Sequence, residues 1–254
     1  VTGLSAAQQW QRPDPASEFK VDSESIAFTW GRFDVPGTAS FWVDQALRRD
    51  SYRRRVQREV DSADLRAQTV FCLLGGHGVT AEMAGATYVE LCRRVDLDTL
   101  PTADVIEAAL RTPVGLNGRM VRYRFWRQRA QRIAGALQIL DQCVPPDDSR
   151  ALRDWLTAVP GIGLKTASWI VRNTTGSDEV AIIDIWLVRA LTRAGVFPEV
   201  WTVPRDYHRY ERTFLAYADA GGVSASVLDW CIWDLGRVLL PLLPPLPDYR
   251  CREE

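Results

Sequence analysis

Between Ala39 and Leu239 the apolar residues recur at three- and four-residue intervals, and this periodicity decides most of what the chain can fold into. Residues so spaced line one face of a helix. The segments 39–50, 62–74, 80–93, 103–110, 119–142, 150–157, 164–174, 185–194, 205–219 and 224–239 are therefore predicted to be helical. Within 119–142, for example, Trp126, Ala130, Ile133, Leu137 and Leu140 trace a single stripe. Ser62, Thr102, Ser149, Asp184 and Ser224 stand where an N-cap is expected, with side-chain oxygens that can accept from the first unpaired amides. Two-residue alternation is confined to Ile26, Phe28 and Trp30, a short strand-like run that ends in the turn signals Asp34 to Gly37. The polar first twenty residues, with Pro13 and Pro15, are expected to form a loosely ordered arm, and the Pro-rich stretch from Pro241 to Pro247 a terminator or surface strap. The predicted fold class is mainly α, with minor β at the N-terminus.

A chain of 254 residues, 46% hydrophobic and 25% charged, has an ordinary globular composition, which excludes disordered and collagen-like classes. The longest apolar run, Val238 to Leu246, is interrupted by Pro241, Pro244 and Pro245, so no membrane partner is expected. The first residues lack the basic start and apolar core of a secretory signal. Cys72, Cys92, Cys143, Cys231 and Cys251 are odd in number and widely spread, as reduced thiols would be. Together these features lead us to expect an intracellular, cytoplasmic and bacterial protein. With His77 and His208 the only histidines, no local ligand set for zinc or an iron–sulfur cluster is visible, and no metal or cofactor is expected to be required. A net charge of −1 argues against a wholly basic binder and permits a local basic face. Of the 31 basic residues only Lys20 and Lys165 are lysine, so any chemistry that needs a side-chain amine falls to those two.

The second of them follows a distinctive turn. Leu156-Thr-Ala-Val-Pro-Gly-Ile-Gly-Leu-Lys-Thr-Ala joins two short helices through Pro160-Gly161-Ile162-Gly163. Two glycines permit positive φ and a close approach, so the turn presents free amides at a helix N-terminus to something anionic. This is a helix–hairpin–helix over about 150–174, a phosphate-binding device for DNA, anchored by the apolar Val159 and Ile162. Gly161, Gly163 and Thr166 are the expected backbone contacts, and a monovalent or divalent ion could sit at the hairpin. The alternatives are a glycine-capped helix connection without ligand, and a Lys165 that serves only as a phosphate contact.

Nineteen residues beyond Lys165, Ile182-Ile183-Asp184-Ile185-Trp186 places one carboxylate between a short apolar run and a helix start. Asp184 reads equally as an N-cap. The pairing of Gly-x-Lys-Thr-Ala with an apolar-Asp-apolar helix start nonetheless resembles the helix–hairpin–helix DNA glycosylase superfamily. It is most similar to the 8-oxoguanine DNA glycosylase/lyase group, which works without the four-cysteine cluster that this chain also lacks. The resemblance is close over about Leu65 to Gly195. It implies two interdigitated helical subdomains: 1–64 with 180–254 built from both termini, and 65–179 a six-helix barrel containing the hairpin.

The resemblance also implies roles. Lys165 and Asp184 would be the catalytic pair, a nucleophile forming a Schiff base followed by β-elimination and a carboxylate stabilising positive charge on the sugar. Lysine in addition to aspartate points to the bifunctional branch. Leu73-Leu-Gly-Gly-His77-Gly-Val79 is similar to the loop that enters the space left by a flipped base, with His77 either the wedge or a loop histidine without a role. Trp169, one turn after Lys165, is either a stacking partner of the extruded base or a core tryptophan. Val227 to Gly236 is similar to the helix closing the base pocket, with Asp229 and Trp230 as candidates and Cys231 the alternative by register. Arg119, Arg122, Arg124, Arg127, Arg129 and Arg132, placed on one helix, would be distributed around it, most facing solvent and some meeting phosphates. The partner implied is duplex DNA bearing a damaged base, and the chain is expected to be monomeric. Two other readings remain open: a glycosylase of the same mechanism for another modified base, and a non-catalytic DNA-binding module.

Overall fold

The computed structural model describes residues 13–21, 26–61, 64–76 and 78–244. Among them are eleven α-helices and two small antiparallel sheets. The chain divides into two compact units, one made of residues 1–57 with 181–254 and the other of residues 58–180.

In the unit formed from both ends, β1 (Glu18–Val21) pairs antiparallel with β2 (Ile26–Thr29), with Phe19 opposite Phe28. The arm expected before residue 21 thus contains a strand. Its side chains explain why: Phe19 packs on Phe28 and Trp30 with ring centroids 5.4 and 6.0 Å away, and these last two pack in turn on Tyr217. Helix α1 (Ala39–Arg48) starts at Thr38, whose hydroxyl accepts from the Phe41 amide at 3.2 Å, and buries Trp42 and Val43 completely. Helix α2 (Asp50–Asp61) continues from it after Arg49. The predicted segment 39–50 ended too early to include α2, because that helix is arginine-rich and the buried apolar side chains of its first half are Tyr52 and Val56, one turn apart.

The contiguous unit holds α3 (Leu65–Leu74), α4 (Ala81–Arg94), α5 (Ala103–Arg111), α6 (Trp126–Gln142), α7 (Ser149–Leu156) and α8 (Leu164–Thr175). Their apolar faces meet in one core that includes Leu73, Leu74, Ile106, Ile133, Leu137, Leu156 and Ile170. Thr102 caps α5 as expected. The predicted cap Ser62 lies outside the described residues, and Asp64 caps α3 by accepting from the Ala67 amide at 2.7 Å. Ser149 is already helical, and the cap of α7 is its neighbour Asp148.

The segment 119–142 is not one helix. Residues Val114–Leu116 (β3) and Arg119–Val121 (β4) form a hairpin, and helix begins only at Trp126. Asn117 and Gly118 at its tip have φ of 49° and 74°, the two positive values of a type I′ turn. An Asn-Gly pair is the strongest short-range hairpin signal, and it lies in plain sight in the sequence. Consequently Arg119, Arg122 and Arg124 are not on a helix at all; they are exposed on and after β4.

The first unit is completed by α9 (Ile185–Arg193), α10 (Tyr207–Ala220) and α11 (Ala225–Leu239). Tyrosines on α10 bond main-chain carbonyls: Tyr210 to Trp201 O at 2.7 Å, just ahead of the helix, and Tyr217 to Ala39 O at 2.6 Å, far back along the chain. Ser224 stands at the N-cap position of α11 without a side-chain cap bond.

Candidate active site

The turn between α7 and α8 is a hairpin built as its residues require. Val159 and Ile162 are buried, and the Ile162 amide bonds Val159 O at 3.0 Å, folding the turn back on itself. Gly161 adopts φ +92°, and a Cβ there would collide with the Arg132 side chain, so this position needs glycine for both conformation and space. Gly163 is the N-cap of α8 and offers no side-chain acceptor. The first helical bond runs from the Ala167 amide to Gly163 O, so the amides of the preceding turn have no partner within the helix. Lys165 and Thr166 sit in this first turn, both half-buried. A helix N-terminus with unpaired amides and an accessible amine is suited to an anionic, electrophilic ligand.

Trp169, one turn on, projects to the side of α8 that faces the end of α3. Its ring stands edge-on to Phe71 with centroids 5.6 Å apart, and a Cβ on Gly75 would lie only 2.9 Å from its Cζ3. It is half-buried, which leaves part of the indole for other contacts. His77 lies outside the described residues; its neighbours Gly76 and Gly78 take φ of +113° and +77°. Among the six arginines, Arg129 and Arg132 are half-buried against this region, with Arg129 donating to Gly75 O at 2.9 Å, while Arg127 is exposed beside Glu107.

Asp184 belongs to the other unit, where it is the N-cap of α9. One oxygen, Oδ1, accepts from the amides of Trp186 and Leu187, both at 2.8 Å, so the carboxylate is oriented by two fixed donors. It is half-buried at the end of the buried run Val180–Ile183.

Two residues that hold this run were not singled out by sequence reasoning. The Tyr207 hydroxyl donates to Ala181 O at 2.6 Å and accepts from the Ile183 amide at 3.4 Å, while Glu211 accepts from the Ala181 amide at 3.0 Å. Both are buried on one face of α10, spaced four apart. That spacing of a tyrosine and a glutamate was the available signal, but only tertiary contact reveals what they hold. Tyr207→Phe is expected to cost about 1–2 kcal/mol of stability, since it strands a buried carbonyl, and, if Asp184 takes part in catalysis, to lower the rate by loosening it. Thermal unfolding and single-turnover kinetics of the variant check both parts.

The three candidates on α11 differ. Asp229 is 5% exposed and Trp230 8%, with the Arg55 guanidinium 4.1 Å from one ring centroid of Trp230 and Trp233 edge-on at 5.2 Å. Cys231 is fully enclosed, its Sγ directed at Trp42 O, and burial pushes its thiol up to about 12. It is a packed core thiol rather than a group presented to a ligand. Among the described residues no cluster of His, Cys, Asp or Glu is arranged to hold a metal ion, and no helix is long and apolar enough to cross a membrane.

Comparison with known proteins bears on the fold and the family. The solved 8-oxoguanine DNA glycosylase of Methanocaldococcus jannaschii superposes with a TM-score of 0.56 at 25% identity, over 74% of this chain and 87% of that one. The Thermotoga maritima 8-oxoguanine DNA glycosylase gives a TM-score of 0.56 at 23% identity, over 78% and 96%. The Methanocaldococcus jannaschii glycosylase/lyase in complex with a 15mer DNA containing 8-oxoguanine gives 0.55 at 23%, over 76% and 95%. At that identity these last two speak for the fold alone. A family model described as 8-oxoguanine DNA glycosylase matches residues 47–223, which span the hairpin, Lys165 and Asp184. The chain therefore belongs to the 8-oxoguanine DNA glycosylase family.

Proposed function

We propose that this DNA glycosylase is bifunctional, excising 8-oxoguanine from duplex DNA and then cleaving the strand through a lysine imine. The observation that carries the reading is Lys165 itself, a half-buried amine in the first turn of a helix that leaves a glycine hairpin with unpaired amides. The hairpin amides bind backbone phosphate, and the damaged nucleotide is rotated out of the stack. Nζ of Lys165 forms a bond to C1′ as the glycosidic bond breaks, and the base leaves with the bonding electrons and takes the proton that the newly bonded nitrogen gives up. Asp184 stabilises the positive charge that develops on the sugar. The nitrogen lone pair then expels O4′, which takes a proton from solvent as the ring opens, and the resulting protonated imine acidifies the C2′ hydrogen, whose removal expels the 3′ phosphate by β-elimination.

In the base pocket, the carboxylate of Asp229 would accept from N1–H and the exocyclic amine of the guanine ring, and Trp169 or Trp230 would stack on it. For Trp230 this means exchanging the Arg55 guanidinium for a base on the ring face where it sits. The chemistry calls for no cofactor, and an ion at the hairpin would only help bridge phosphate to the turn. The proposed working form is a monomer on one duplex.

The test is a panel of duplexes carrying 8-oxoguanine opposite cytosine, an oxidised pyrimidine, another modified purine or no lesion, each incubated with and without borohydride. Cleavage and a covalent adduct on the 8-oxoguanine duplex are expected, at a rate at least about a hundredfold above the undamaged control, the scale of discrimination that specific hydrogen bonds to a base supply. Preference for another lesion would reassign the substrate, and binding without base release, cleavage or adduct on any duplex would leave only a DNA-binding module.

A further inference from the structure

The segment that follows α3 is held from several sides by side chains of the same unit. The last carbonyls of a helix lack partners within it. Here Leu74 O accepts from the Tyr123 hydroxyl at 2.7 Å and Gly75 O from Nη2 of Arg129 at 2.9 Å. Tyr123 is fully buried, and burial raises its phenol above the ordinary value, which keeps the proton that it donates. A guanidinium at the C-terminal end of α3 is also favoured by the helix dipole. The glycines beyond are shaped to these neighbours. A Cβ on Gly75 would press on Trp169 at 2.9 Å, and one on Gly76 would lie 3.2 Å from Nη2 of Arg129. On Gly78 it would meet Phe125 at 3.6 Å. The positive φ of Gly76 adds a second reason for glycine, and at Gly78, where a Cβ would make only ordinary contact, the positive φ is the reason.

We propose that Arg129 and Tyr123 are positioning residues that fix the start of this loop before DNA arrives, so that its entry into the space left by the extruded base costs little ordering. The inference rests on the proposed function and on the resemblance of Leu73–Val79 to the loop that enters the space left by a flipped base, and adds which side chains set its shape. Preorganisation of this kind acts on binding to a duplex, where there is a vacancy to fill, and not on a single strand, where there is none. The carbonyls are gripped by two separate donors, so loss of either loosens the loop without removing any group that touches the sugar.

The experiment compares Arg129→Met, Arg129→Lys and Tyr123→Phe with the unaltered protein, using an abasic-analogue duplex and the same lesion strand alone. Arg129→Met is expected to weaken duplex binding and raise KM about tenfold, the scale of one charge-assisted hydrogen bond, with kcat and single-strand affinity within about twofold. Arg129→Lys, which keeps a donor, should recover part of the loss. Tyr123→Phe removes only a hydroxyl and should show the same duplex-specific pattern more weakly, which keeps the test open if Arg129→Met does not fold. Unchanged duplex affinity in Arg129→Met and Tyr123→Phe, or equal losses on duplex and single strand, would overturn the proposal. These affinities need neither strand scission nor an imine, so a missing borohydride adduct in the unaltered protein would remove the lyase reading and leave this comparison intact.

Discussion

Lys165→Gln is expected to eliminate the borohydride-trapped adduct and to lower strand cleavage at least about a thousandfold, the scale on which removal of a nucleophile acts. An amide nitrogen cannot form an imine, whereas glutamine has nearly the helix propensity of lysine, so stability should stay within about 0.5 kcal/mol. The variant should still bind DNA, because the hairpin amides are backbone groups that the substitution does not touch. The measurement is unusually clean in this chain: the other lysine, Lys20, lies on β1 beside Glu18 in an exposed ion pair. Peptide mapping of the adduct therefore has two lysine side chains to distinguish. Full trapping in the Gln variant would refute the nucleophile.

Asp184→Asn separates the cap role of this side chain from the electrostatic role proposed for it. As a cap, Asn accepts from the Trp186 and Leu187 amides as Asp does, and the two rank alike at this position. As a charge, Asn fails, because it places no negative group beside the sugar. Base excision should fall about a hundredfold or more, comparable to losing one electrostatic contact to a transition state, while the thermal midpoint moves by no more than a few degrees. Asp184→Ala should lose the same activity and about 1 kcal/mol of stability in addition. A full rate in the Asn variant would reduce Asp184 to a cap.

The hairpin and Asp184 were legible because their signals are local. Paired glycines, flanking apolar anchors and a cap residue act within one or two turns of chain, and each stands where expected. The β3–β4 hairpin was locally legible too, through Asn117-Gly118, but an apolar stripe beginning at Trp126 drew the helix boundary back over it. Reading the arginines as one helical set followed from that boundary. Helix α2 carried too few apolar positions for periodicity to show. What no window of sequence contains is the pairing of distant groups: Tyr207 and Glu211 on the strand of chain before Asp184, Arg129 and Tyr123 on the end of α3. Those contacts join residues from about 24 to 54 positions apart, and the burial that makes them strong exists only after folding.

The split of the chain into a contiguous unit and one assembled from both ends has a consequence for synthesis. Residues 58–180 contain every strand and helix their core needs, so that core can close as soon as they have left the ribosome. The N-terminal piece cannot. Phe28, Trp30 and Ala39 O wait for Tyr217, and Trp42 for α11, all from residues made more than a hundred positions later. Until then a tryptophan- and phenylalanine-rich surface is uncovered on the nascent chain, so slow translation through the middle of the message should raise its dependence on chaperones.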